Sequence, residues 1–457
     1  MIALADALAG LKSKLTGRVI LPADTDYDTA RTVMYGGFDK KPGAIVRVRS
    51  AGDVQAVVNA AREHGLELAV RSGGHSNAGH SSSDGGLVMD LRELKAITVD
   101  RAAGTLTAET GATAIEVTKA AGEHGMVVGF GDAGTVGIGG ITLGGGVGYM
   151  ARKYGLTIDS LLAAEIVTAD GTIRKLDAAH EPELFWAIRG GGGNFGVVTR
   201  LTFKLSPLPQ FTGGMLALPA TAEILAGFIA AANAAPEELS TIANVMPAPP
   251  MPFLPAEVHG KMVILGMLAF AGPPDAAEKA LAPFRALGKP YADFIKAGDY
   301  AQLMYPPEDP DYHPTAVART MYLNRVGASE AQTILDELEH SDAVFRVVQL
   351  RVLGGASARV AADATAYAHR KAPMMANLAA FYTTPEDKAK REAWIAAFGR
   401  RIEQEEKGAY VNFLGLDGPE RMEAAYPDGT WEKLRRIKKQ YDPANLFRLN
   451  QNIAPAE

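Results

Sequence analysis

The sequence contains no cysteine. Disulfides, thiolate metal sites and a cysteine nucleophile are therefore all excluded. Basic charge is not in excess: 46 Lys and Arg stand against 52 Asp and Glu, a net charge of −6. That balance argues against a nucleic-acid partner, which calls for a basic surface. No apolar run reaches the roughly 18 residues of a membrane-spanning helix. The N-terminal MIALADALAGLKSKL has neither a basic n-region nor a clear cleavage site, so no signal peptide and no membrane partner are expected, and a cytoplasmic location is. The histidines show no metal-ligand spacing, and no metal is expected. Internal repeats and low-complexity segments are also missing. What remains is a globular composition, 47% hydrophobic and 21% charged over 457 residues, enough for about two to three domains.

Glycine is abundant, with 49 residues, many of them clustered at 131–148 and 190–196. The stretch RSGGHSNAGHSSSDGGLVMDL, residues 71–91, opens with Gly73-Gly74-His75. Paired glycines let backbone N–H groups approach a diphosphate, since no Cβ intervenes. An imidazole in such a loop is a nucleophile placed beside whatever the diphosphate carries. Taken alone, the loop is equally compatible with a plain turn. Around it the pattern reads β-α-β. A strand at 44–48 is followed by a helix capped by Ser50 with Val54, Val57, Val58 and Ala61 on one face, and then by a strand at 66–70. A strand at 87–91, a hairpin at 97–99 and 105–108, and a helix near 113–123 come next.

Residues 131–148, GDAGTVGIGGITLGGGVG, admit no regular element. Val136, Ile138, Ile141, Leu143 and Val147 interleave the glycines, whereas flexible linkers favour polar residues. A buried backbone packed against a flat ligand is the expectation. A strand at 163–168 turns at Asp170-Gly171 into 172–174. A helix at 183–188 stops at Gly190, and a strand covers 197–205. Gly191, Gly193 and Gly196 spell G-x-G-x-x-G, but they follow a helix and open a strand, the reverse of a dinucleotide fingerprint. Pro207 and Pro209 mark a boundary. Beyond it strands (262–270, 344–353) alternate with helices (276–287, 330–338, and one from about 386). In 344–353, Val347, Gln349 and Arg351 share one face and Val348, Leu350 and Val352 the other.

Several segments together resemble the berberine-bridge-enzyme-like flavoproteins of the vanillyl-alcohol-oxidase superfamily, with its PCMH-type FAD-binding fold. They are RSGGHS at 71–76, TVGIGGITLGGGVG at 135–148, RKYGLTIDSL at 152–161, VTADG at 167–171, LFWAIRGGGGNFGVVT at 184–199, and YDPANLF with NQNIAP at the end. The bacterial branch that includes 6-hydroxy-D-nicotine oxidase is the most similar. The resemblance implies an α+β fold of two domains. Residues 1–207 and 406–457 form the FAD-binding domain, and 208–405 a substrate domain whose antiparallel sheet covers the flavin.

The resemblance also implies roles. His75 carries the FAD through its imidazole. Arg71, Ser72, Gly73, Gly74, Ser76, Asn77, Gly79 and His80 surround it. Gly131, Thr135, Val136, Gly137, Gly139, Gly140, Gly144, Gly145, Gly146 and Gly148 line the cofactor, joined by Ile166, Val167, Asn412 and Asn450. Many relatives have a cysteine where this chain has Ala133, so one covalent link is expected, which suits small substrates. Val136 matches the position that lines oxygen's approach to the flavin, and a small residue there goes with oxidase behaviour. His369 is read as structural. The expected reaction takes a hydride from an alcohol or amine carbon of a small molecule and reduces O2 to H2O2. A dehydrogenase with another acceptor and a flavin-binding protein without turnover stay open.

The substrate's own proton needs an acceptor. Related enzymes carry a carboxylate at one of the positions occupied here by Gln349 and Arg351. Arg351 is no base at ordinary pH, but it suits a substrate carboxylate or an oxyanion. A tyrosine made acidic by a nearby cation, Tyr410 or Tyr322, is the other route. Proline and aromatic residues in 240–325, as in MPAPPMPFLP and YPPEDPDYHP, favour a small apolar or aromatic substrate. A monomer and a homodimer fit the sequence equally.

Overall fold

The computed structural model describes residues 2–304, 312–416 and 418–457. Three principal sheets carry the molecule. The first is four-stranded, built from Arg18–Ile20 (β1), Ala44–Arg47 (β2), Leu68–Arg71 (β3) and Leu87–Asp90 (β4) in the order β1-β2-β4-β3. Both β2 and β3 run parallel to β4. Strand β1 lies within the lead-in, the residues before β2. The helix Ala51–Glu63 crosses over between β2 and β3. The side chain of its N-cap Ser50 accepts from the Asp53 N–H, and Val54, Val57, Val58 and Ala61 are buried on its inner face. Parallel strands leave their binding loops at their carboxyl ends, and β3 ends at Arg71, where the glycine–histidine loop starts.

The second sheet comprises Ile97–Asp100 (β5), Thr105–Glu109 (β6), Leu161–Val167, Ile173–Asp177 and Val197–Lys204, five strands with Val197–Lys204 central. A large core links it to the chain's tail, from Phe130 and Phe203 edge to face at 5.7 Å to Leu434, Ile437 and Ile453. The glycine-rich segment is not wholly irregular. Residues Ile138–Leu143 form one short helix, with Gly137 before it and Gly144 after it.

The third sheet has eight strands, all between Thr212 and Phe381. Across its middle run Leu239–Pro247, Arg346–Val352 and Met374–Phe381, each antiparallel to the next. On one face Val348, Leu350 and Val352 pack into a core with the helices Ala222–Ala234, Pro274–Arg285, Ala328–His340 and Pro385–Ile402. Full burial of each such side chain contributes roughly 1.5–3 kcal/mol, so the register of this strand is strongly fixed. Gln349 and Arg351, on the other face, are thereby turned toward the glycine–histidine loop. Residues 305–311, which carry most of YPPEDPDYHP, lie outside the described residues. The MPAPPMPFLP stretch contributes Met246, Ala248 and Leu254 to a separate apolar cluster.

Candidate active site

One cavity of about 480 Å³ lies where the loop after β3, the glycine-rich segment, the chain's tail and the eight-stranded sheet converge. This size falls within the range of small-molecule and cofactor sites. Of the residues singled out from sequence, Ser72 to Asn77, His80, Gly131, Val136, Gly137, Gly139, Gly140, Asn412 and Asn450 line it, with Gln349, Arg351 and Tyr410.

The loop is held from outside the cavity. Arg71 is buried and does not line it. Its guanidinium donates to the carbonyls of Ala30 (2.5 Å), Ser81 (3.0 Å) and Arg31 (3.2 Å), fastening both ends of the loop to the lead-in. Ser72 Oγ donates to the Thr110 carbonyl at 2.5 Å, and Ser76 Oγ accepts from the N–H of Ala78 and of His80. Burial pushes the pKa of His75 down to about 4, opposed by a hydrogen bond to the Thr135 backbone. Burial, helped by Lys40, does the same to His80. Both imidazoles are neutral near pH 7, and a neutral imidazole has a lone pair available for bonding.

Several glycines serve the protein rather than a ligand. A Cβ on Gly73 would collide with the Gly137 backbone, and one on Gly137 with Ser72 Oγ and Gly73 N, so these two segments touch through backbone. Gly144, Gly145, Gly146 and Gly148 do not line the cavity. Gly144 leaves room for the Asn412 amide, Gly146 for the Thr157 side chain and Gly148 for the Phe130 carbonyl. Gly79 faces the Phe38 ring, and Ile166 and Val167 are fully buried core. Thr135 contributes its backbone to His75 rather than a side chain to the cavity. Around Gly140 and Gly193, by contrast, the space a Cβ would take is open.

Tyr322 is not at the site. It is buried, hydrogen-bonded to the Tyr367 hydroxyl at 2.8 Å and stacked on His369 at 4.7 Å. Burial raises its pKa well above the ordinary value. Both ring nitrogens of His369 are engaged, with Glu406 and the Ala424 carbonyl, each at 2.9 Å. Tyr410 does line the cavity. Its oxygen accepts from Gly146 N (2.9 Å), Val147 N (3.3 Å) and Asn412 Nδ2 (2.9 Å). Burial nevertheless raises its pKa, with those donors and Arg351 pulling the other way. The expected acidic tyrosine is therefore a phenol at neutral pH.

Arg351 is not free to grip a substrate carboxylate with two prongs. Its Nε and Nη2 donate to Gln349 Oε1 at 3.0 and 2.6 Å, Nη2 to Asp132 Oδ2 at 2.7 Å, and Nη1 to the Val147 carbonyl at 3.4 Å. Asp132 is the carboxylate that the sequence reading missed. It lines the cavity between Gly131 and Ala133, both of which had been noted. Also missed were Tyr35, Asn377 and the run from Gly192 to Val198, of which Gly192, Gly193, Asn194, Gly196, Val197 and Val198 line the cavity. The rejection of a dinucleotide fingerprint still accords with the local structure, a helix at Pro182–Ala187 and a strand from Val197. Spacing alone could not show that the same glycines border a ligand site in another fold. Among the described residues, no group of three or more His, Asp and Glu could hold a metal, and no helix is long and apolar enough to cross a membrane.

The lining fits a long, partly polar cofactor. Ser81 Oγ and Asn450 Oδ1 belong to cavity-lining residues and are buried without a hydrogen-bond partner. Such atoms call for a polar ligand. A loop of glycines after a parallel strand, closed over by an antiparallel sheet, is the arrangement that the resemblance to the PCMH-type flavoproteins implies. The comparisons agree. A family model described as an FAD binding domain matches residues 42–177, and one described as berberine and berberine like matches 409–454. The uncharacterized FAD-linked oxidoreductase YgaK of Bacillus subtilis is 32% identical over 97% of this chain and 98% of its own. The (R)-6-hydroxynicotine oxidase of Paenarthrobacter nicotinovorans is 30% identical over 96% and 97%. Among solved structures, 6-hydroxy-D-nicotine oxidase from Arthrobacter nicotinovorans superposes with a TM-score of 0.83 at 28% identity, covering 97% of this chain and 98% of that one. The chain belongs to the berberine-bridge-enzyme-like FAD-linked oxidoreductases. It is an oxidoreductase, and its cofactor is FAD.

Proposed function

We propose that this enzyme is an oxidase. It removes a hydride from an alcohol or amine carbon of a small molecule and passes the electrons to O2, making H2O2, with its FAD tethered to His75 alone. The observation that carries the reading is the convergence of His75, Val136, Asp132 and Tyr410 on one cavity. Bound there, the flavin supplies the hydride acceptor and the route for two electrons to oxygen. The chain supplies the rest. The neutral His75 imidazole offers a nitrogen for a C–N bond. The residue at the position of the usual second tether is Ala133, whose methyl forms no such bond. Val136 keeps the wall small where oxygen approaches. Asp132 takes the proton that leaves the substrate's O–H or N–H, because Tyr410 is already protonated at neutral pH. The three N–H groups on the Tyr410 oxygen favour a shift of charge onto it, which suits a phenol that donates a hydrogen bond and shares charge during the reaction.

Acid precipitation tests the tether. Yellow colour stays with the precipitated wild-type protein and passes to the supernatant for His75→Ala. Colour released from wild type refutes the covalent link. Peroxide formed in step with substrate loss supports the oxidase reading. Turnover with a dye acceptor but not with O2 selects the dehydrogenase instead.

A further inference from the structure

The sheet that faces the cavity carries a one-way chain of hydrogen bonds. Asn244, Gln349 and Asn377 lie side by side on three adjacent strands. Gln349 Oε1 accepts two bonds from Arg351, so its Nε2 points the other way and donates to Asn244 Oδ1 at 3.0 Å. Asn244 Nδ2 in turn donates to the Leu265 carbonyl at 3.1 Å. At the other end Arg351 donates to Asp132, and its guanidinium lies 5.2 Å from the Phe413 ring centre. Every nitrogen of Arg351 is thus already giving a hydrogen bond to protein, and its charge is matched by Asp132.

What this arrangement leaves over at its charged end is an acceptor. Asn377 lines the cavity with both ends of its amide uncommitted to described residues, its Oδ1 buried, so it does not discriminate donors from acceptors. Asp132 Oδ2 is taken by Arg351, while its Oδ1 makes no hydrogen bond to a described residue; the side chain is 28% exposed, within the cavity. The two cavity histidines add no positive charge near pH 7. A ligand that donates to the Asp132 oxygen makes a charge-assisted hydrogen bond that one lacking donors cannot. A ligand carboxylate would meet the Asp132 carboxylate with no uncommitted cation to offset it.

We propose that Asp132 reads the substrate. Its free oxygen admits a small neutral or cationic molecule that offers O–H or N–H donors, and its charge refuses one that carries a carboxylate. This inference rests on the reading of the cavity as the flavin and substrate site. The test uses the flavin-loaded full-length enzyme and three probes of similar shape: benzylamine, benzyl alcohol and benzoate. Binding is read from the change in the flavin spectrum without oxygen.

For wild type, the amine and the alcohol perturb the spectrum, and benzoate binds at least about tenfold more weakly. Asp132→Asn keeps an acceptor but frees Arg351 of its carboxylate, and benzoate affinity rises by about tenfold or more. Asp132→Glu, which keeps the negative charge, leaves benzoate as weak a ligand as in wild type, and a rise there overturns the proposal even if the first variant folds poorly. Equal response to all three probes, including response to none, overturns the proposal. So does an Asp132→Asn enzyme with unchanged benzoate affinity. Failure of the functional reading looks different: the purified protein then lacks bound flavin altogether.

Discussion

Gly144 is a glycine because the Asn412 side chain occupies the place its Cβ would take. That amide donates to the Ile141 carbonyl at 3.0 Å and to the Tyr410 oxygen at 2.9 Å. A methyl group at 144 must push Asn412 off both acceptors. Overpacking of this kind costs about 1–3 kcal/mol, and each lost bond about another 1. Gly144→Ala should therefore lose roughly 2–4 kcal/mol in urea unfolding and retain less flavin, whereas the same change at the open Gly140 should leave stability within about 0.5 kcal/mol. Equal costs at the two positions would show that the Asn412 contact is unimportant. A sequence announces that something lies close to a glycine, not what lies there. For that reason the run from 131 to 148 read as a ligand cradle throughout, while half of it is protein packed on protein. Asp132 escaped notice for a related reason. The search for a carboxylate looked along the strand at 349 and 351, where alternation put side chains on the right face. The carboxylate came instead from a loop more than two hundred residues away in the chain.

The elements that could be read were those whose period is clean. The strand Arg346–Val352 alternates, and the helix Ala51–Glu63 has a serine cap and a valine stripe. Leu239–Pro247 was not read, since both its faces are largely buried and its apolar residues do not alternate. Thr212–Pro219 opens with Gly213 and Gly214, which weaken the strand signal. The last helix, Thr430–Tyr441, has an anchor that no local pattern announces. Lys438 and Asp442 form a fully buried ion pair at 2.6 Å. Lys438 also donates to the carbonyls of Asn194 and Phe447, and Asp442 accepts from the N–H of Leu446 and Phe447. Asn194, Phe447 and nearby Asn450 all line the cavity. Asp442→Ala strands a buried ammonium and two N–H groups, a loss of about 3–5 kcal/mol. Denaturant unfolding should show that drop together with weaker flavin retention. A full drop in stability with unchanged flavin content would mean that the tail does not shape the site.

At the scale of the whole molecule, the cavity is assembled from distant parts of the chain. The loop after β3, the glycine segment, residues 192–198, the tail and the covering sheet meet only on folding. Individual motifs suggested a flavin from sequence, but the polar ceiling and its charge balance belong to the assembly and had no local signature. Assembly also half-buries His75 and His80, and this links stability to pH. Burial lowers both pKa values from 6.5 to about 4. Between those values the unfolded chain binds protons that the folded chain does not, so acid favours unfolding. The stabilisation is complete above about pH 6.5 and declines as pH falls toward about 4. Each histidine contributes a slope of about 1.4 kcal/mol per pH unit in that window. His80 can be isolated in flavin-free protein carrying His75→Ala. From pH 6.5 to 5 its urea stability should fall by on the order of 2 kcal/mol more than that of the variant also carrying His80→Gln. Carboxylates titrate equally in both proteins and cancel. Parallel curves for the two variants would mean that water reaches the His80 ring freely, and that the loop it belongs to is open when the flavin is absent.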